Sequence, residues 1–199
     1  MLKIGVTGGI GSGKSLLCRI FSILGTPVYN ADQRAKNLMA EDRQLHAMLR
    51  DIFGPDIIRP EGPDKKALAG IIFNNPAALK KVNEIVHPRV LTDFMNWCGD
   101  QQDAPYVVKE AAILFESGMH FYLDTVILVT APEELRLQRV MNRDGEPEES
   151  IRKRMANQWR DEKKIPLAGI ILENDNIRPL LPVILRLHSE FNRGEIPVD

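Results

Sequence analysis

Gly8-Gly9-Ile10-Gly11-Ser12-Gly13-Lys14-Ser15 satisfies the pattern G-x-x-x-x-G-K-[ST] at every fixed position. Glycines at these positions let backbone N–H groups turn inward around a phosphate chain, with no Cβ in the way. A helix predicted from Ser15 to about Leu24 aims its positive end at the same place. Lys14 can reach β- and γ-phosphates, and the Ser15 hydroxyl suits Mg²⁺. These residues predict binding of a nucleoside triphosphate. A chance glycine-rich turn is the weaker reading, because an apolar run, Leu2 to Val6, leads in as a buried strand does.

The elements that hold this loop can be read from periodicity. Leu2, Ile4 and Val6 begin a strand, and Gly25 closes the helix after the loop. Val28 to Asn30 looks like a short second strand, followed by a helix from about Asp32 to Met39. Between Asp42 and Gly99 the pattern is helical, with turn signals at Gly54-Pro55, Pro60 to Pro63 and Asn74 to Pro76 and no strand-like run. Strand character returns at Tyr106 to Val108 and at Thr125 to Thr130, the latter apolar enough to be buried on both faces. A helix follows from Pro132, then a polar stretch from Arg143 to Lys164, a last strand at Gly169 to Leu172, and a closing helix from Pro179 to Phe191. Strands alternating with helices predict an α/β fold with a parallel, doubly wound sheet and a helical insertion.

Composition narrows the class of protein. The chain has 199 residues, 44% hydrophobic and 27% charged, with a net charge of −1, so no global field favours nucleic acid or an anionic membrane. Cys18 and Cys98 are far apart and have no metal-binding spacing, which fits reduced thiols in the cytoplasm. No apolar run approaches the ~20 residues of a membrane span, and no secretory leader is expected. The residues imply no obligate protein partner.

A phosphate loop alone does not separate a kinase from a GTPase or an ATPase. The guanine-reading N-K-x-D is absent from the sequence, and Asp51-Ile52-Phe53-Gly54 ends a helical pattern rather than a strand. Arg139 and Arg143 are four apart, so they share one helix face, from which guanidiniums can stack on a purine or grip phosphates. They open an arginine-rich segment suited to covering a reacting phosphate against water. Arg152, Arg154 and Arg160 fit either a further set of contacts or the wet side of a helix with the apolar stripe Ile151, Met155 and Trp159. Asp32, just after the second strand, suits either a base for an attacking hydroxyl or a helix cap. Glu110, ending its strand, suits either the Mg²⁺ water shell or a helix start. On residues alone, His87-Pro88 reads as a helix-start turn and Glu116 as a surface acid.

Taken together, Thr7 to Ser15 (T-G-G-I-G-S-G-K-S), Phe21, Leu24-Gly25, Asn30-Ala31-Asp32, His87-Pro88, Ile113-Leu114-Phe115-Glu116, Arg139-x-x-x-Arg143-Asp144 and Gln158 resemble the dephospho-CoA kinases, over the chain to about Asn174. The resemblance implies ATP- and Mg²⁺-dependent phosphorylation of the ribose 3′-hydroxyl of 3′-dephospho-CoA, on a P-loop nucleotide-kinase-like three-layer fold. It implies a kinase core at 1–41, 100–138 and 165–199, a CoA-side helical insertion at 42–99 and an arginine-rich lid at 139–164. By the same resemblance, Gly9, Ile10, Gly11, Ser12, Gly13, Lys14, Ser15 and Leu16, with Arg139 and Arg143, take the nucleotide. Thr7, Asp32, His87 and Glu116 take the acceptor, Asp32 and Lys14 are catalytic, and Ser15 and Glu110 serve the metal. Two residues depart from the family pattern. Asn30 replaces the first aspartate of D-A-D, and Ala112 replaces a proline before Glu116, which relaxes a turn.

Overall fold

Leu2–Thr7 forms β1, the loop follows, and Lys14–Ile23 forms α1, ended by Gly25 in the left-handed region with its N–H on the Ser22 carbonyl at 3.0 Å. The structure, a computed structural model, describes residues 1–59, 62–73 and 75–197. After β2 (Val28–Asn30), the chain runs through α2 (Ala31–Glu41), α3 (Arg43–Phe53), β3 (Ile58–Arg59), β4 (Gly62–Pro63), α4 (Lys65–Phe73) and α5 (Pro76–Gly99). The remainder comprises β5 (Tyr106–Glu110), β6 (Thr125–Thr130), α6 (Glu133–Asp144), α7 (Glu148–Ala156), α8 (Asp161–Lys164), β7 (Ile170–Glu173) and α9 (Leu180–Asn192).

These elements form two units, Met1–Asn30 with Gln101–Asp199, and Ala31–Asp100. In the first, five strands form a sheet in the order β2-β5-β1-β6-β7, parallel throughout. Parallel pairing requires crossovers, and these wind helices around a sheet whose strands are apolar on both faces. Val6, Val108, Ile127 and Leu172 pack with Leu17 and Phe21 of α1 and Ile184, Leu187 and Phe191 of α9. Burying residues of this size removes about 1.5–3 kcal/mol each of apolar exposure to water. The alternate residues Val107, Lys109, Val126 and Leu128 are buried as well. Because every strand runs the same way, Thr7, Asn30, Glu110 and Thr130 all come to one edge, where ligands of open α/β sheets bind.

The second unit is helical. Asp42 caps α3 by accepting from the Gln44 and Leu45 N–H groups at 2.8 and 3.1 Å. Arg34 of α2 donates to Asp93 of α5 at 2.8 Å, and Arg89 of α5 donates to Gln44 of α3 at 2.7 Å. Two expectations are corrected here. The stretch 42–99 does contain strand, a two-residue antiparallel ladder of β3 and β4, too short to leave an alternating pattern. His87-Pro88 lies in the middle of α5 rather than at a helix start. The break Pro88 makes in the backbone ladder is offset by the buried Ile85, Val86, Val90 and Phe94 around it. The turn signals at Pro60, Glu61 and Asn74 lie outside the described residues.

Candidate active site

The loop curls over the N-terminus of α1. Gly13, the residue before the helix, has φ 105° and no room for a Cβ beside the Asn174 amide. Only glycine takes that conformation without strain, and it leaves the first N–H groups of α1 pointing outward. Lys14 Nζ folds over the loop and donates to the Gly8 and Gly9 carbonyls at 2.8 and 3.2 Å. Thr7 Oγ1 and Ser12 Oγ are buried without a partner among the described residues.

Ser15 Oγ donates to Glu110 Oε1 at 2.7 Å, and Asn30 Nδ2 donates to Glu110 Oε2 at 3.0 Å. Glu110 is therefore the end of β5 turned towards the loop, not a helix-start acid. The departure at Asn30 has a physical consequence: an amide donates to Glu110 where a second carboxylate would repel it. Cys18 lies in the same surroundings, and burial first, then the charge of Glu110, pushes its thiol up and keeps it protonated.

Arg139 and Arg143 line one cleft of about 390 Å³ with Ile10, Gly13, Lys14 and Asn174. The spacing of four does bring both arginines to the loop. Arg139 Nη2 donates to the Asn174 carbonyl and side-chain oxygen at 3.1 and 3.2 Å, while Asn174 Nδ2 donates to the Ser12 carbonyl at 2.8 Å. Arg143 pairs with Asp144 at 2.7 Å, which holds the Asp144 carboxyl below the usual carboxylate range. Leu16 is exposed at the same cleft. Asn174 is a residue the sequence reading missed. Its position just past β7, at the carboxyl edge of a parallel sheet, was the available signal.

The polar stretch after Arg143 is tied to the loop. Ile10 N–H donates to Gln158 at 2.8 Å, and Ile10 packs with Leu137, Val140 and Ile151. Arg152 is engaged by Glu133, Glu134 and Glu148, and Arg154 by Glu146, so these two form the wet face of α7. Glu116 is not a surface acid. Its Oε1 accepts from the Trp159 N–H at 3.0 Å and pairs at 3.1 Å with Lys164, which is wholly buried. Glu116→Ala leaves that ammonium buried without its partner and is expected to lower stability by about 3–5 kcal/mol, read as a fall in melting temperature. An unchanged melting temperature would mean that the pair carries no such weight.

Asp32 and His87 belong to the other unit. Asp32 is exposed in the first turn of α2, inside the helix rather than at its cap, and His87 is half-buried within α5.

A parallel sheet of this order, a glycine loop closing on a helix N-terminus, and a serine and glutamate meeting beside it define a P-loop nucleotide-binding fold. The sequence model of the dephospho-CoA kinases matches residues 2–179. A dephospho-CoA kinase of Bacteroides fragilis is 37% identical over 186 residues, covering 94% of this chain and 91% of the relative. Among solved structures, a Thermus thermophilus protein superposes with TM-score 0.80 at 34% identity, covering 94% of each chain. A Campylobacter jejuni dephospho-CoA kinase gives 0.67 at 27% identity, covering 96% of this chain and 98% of that one. The chain belongs to the dephospho-CoA kinase family.

Proposed function

We propose that this enzyme phosphorylates the ribose 3′-hydroxyl of 3′-dephospho-CoA with ATP, giving CoA and ADP as the last step of coenzyme A synthesis. The observation that carries this is the convergence of Lys14, Ser15, Glu110, Arg139 and Arg143 on one loop, in a chain of this family.

In this reading the N–H groups of Gly11 and of Gly13 to Ser15 cradle the β- and γ-phosphates, and Lys14 exchanges its loop carbonyls for phosphate oxygens. Mg²⁺ fits the donors present: Ser15 and Glu110 offer only oxygens, 2.7 Å apart, and this ion takes few protein ligands and keeps water. Bound there, it supplies neutralisation of the charge on the β- and γ-oxygens. Arg139 and Arg143 hold the nucleotide, and 139–164 acts as the lid that excludes water. The helical insertion at 42–99 takes the CoA side. Asp32 orients the 3′-hydroxyl and accepts its proton, and Thr7, His87 and Glu116 complete the acceptor side. The buried, unbridged Cys18 and Cys98 support a cytoplasmic setting. The acceptor in this reading is a small molecule, and the net charge of −1 favours neither nucleic acid nor an anionic membrane as partner. Among the described residues no helix is long and apolar enough to cross a membrane.

The test is the structure of the product. Mass spectrometry and ³¹P NMR are expected to find one phosphate gained, on the ribose 3′-oxygen. Phosphate on another oxygen, or none gained, would contradict the proposal.

A further inference from the structure

Arg136 sits on α6 one turn before Arg139 and belongs to none of the motifs above. Its Nη1 lies so close to Gly9 that any Cβ there would collide with it, and its backbone carbonyl would likewise collide with a Cβ at Gly11. Two loop glycines thus make room for this one residue. Lys14 Nζ is 3.2 Å from the Gly9 carbonyl, so an ammonium and a guanidinium converge on the same loop residue. Like charges brought together repel unless an anion comes between them.

Arg136 Nε is buried with no hydrogen-bond partner among the described residues, and Asp161 Oδ1 is buried in the same condition. A buried unpaired donor is costly unless a ligand completes it. Burial raises the Asp161 carboxyl, while Arg136, then Lys164 and Lys14, draw it back, which places all three cations within electrostatic reach of it. Asp161 begins α8, in the same polar stretch whose Gln158 accepts from Ile10.

We propose that Arg136 is a further phosphate-binding residue of this kinase, its guanidinium laid against Gly9 and steadied by Asp161 so that its N–H fork meets the γ-phosphate of bound ATP. The inference rests on the triphosphate reading of the loop. The γ-phosphate is the group assigned because Lys14, which reaches that end of the chain, shares Gly9 with Arg136. Donors fixed beside the transferred group lower its barrier as charge shifts in the transition state.

Arg136→Gln is the variant to measure, by equilibrium binding of MgATP and MgADP and by steady-state kinetics. MgATP is expected to bind about 10-fold more weakly and MgADP within about twofold of the wild type, since only the triphosphate loses a charge-assisted bond. Turnover should fall about 10²-fold with the acceptor KM unchanged. Arg136→Lys, which keeps the charge without the fork, should recover part of the preference for ATP. Equal weakening of both nucleotides, or of neither, would overturn the assignment. Should the glutamine variant not fold, the lysine variant decides: a lowered ATP-to-ADP preference supports the proposal and an unchanged one rejects it. A wild type that binds neither nucleotide would overturn the triphosphate reading itself, and this inference with it.

Discussion

Lys14→Met is expected to lower kcat by on the order of 10³-fold while the protein folds and melts as the wild type does. The substitution keeps an unbranched side chain out to the Cε position and removes the ammonium that donates to the Gly8 and Gly9 carbonyls. Those bonds hold the ammonium over the loop, ready to move onto phosphate, so little reorganisation is needed when the nucleotide arrives. Phosphoryl transfer asks almost no covalent chemistry of the protein, and removing a placed positive charge therefore costs much of the rate. Single-turnover rates with saturating MgATP give the measurement. A variant within about tenfold of the wild type would remove Lys14 from the chemistry, since even one lost oxyanion donor costs 10²-fold or more.

Asp32→Asn is expected to reduce kcat by about 10²–10⁴-fold and to leave MgATP affinity within about twofold. The split separates a role on the acceptor hydroxyl from a role in holding the nucleotide. The amide keeps the size and polarity of the side chain and cannot take a proton at the pH of the reaction. Asp32 is exposed and lies in the first turn of α2, where an acid interacts favourably with the helix dipole. Loss of that interaction costs about 0.3–1 kcal/mol, too little to account for such a fall in rate. Near-normal turnover with unchanged nucleotide binding would remove Asp32 as the base.

The sheet and the loop could be read from the sequence because each leaves a local signature. A continuous apolar run such as Thr125 to Thr130 fits a strand buried on both faces, and it is one. Glycine at residue 25 marks the end of α1 because the left-handed turn there favours it. The β3–β4 ladder left no signature, since two residues cannot show a period of two. His87-Pro88 misleads for a related reason: proline usually marks a boundary, and only the apolar residues on both sides let α5 continue through it.

The site was legible where spacing carries the information and obscure where a single side chain does. Arg139 and Arg143 could be placed together because four residues make about one helical turn, and both line the cleft beside the loop. Arg136, three before Arg139, obeys the same rule but has no partner motif to draw attention to it. Asn174 and Glu116 act through contacts with residues distant in sequence, Ser12 and Lys164, which no local pattern encodes. Glu110 could be read in two ways, and its place at the end of β5, with bonds from Ser15 and Asn30, excludes the helix start.

The most direct measurement is ADP release from MgATP with and without 3′-dephospho-CoA, beside AMP, CMP and shikimate. Stimulation by 3′-dephospho-CoA alone, with CoA accumulating in step with ADP, is the expected result. Stimulation by another acceptor, or none by any of the four despite tight MgATP binding, would contradict it.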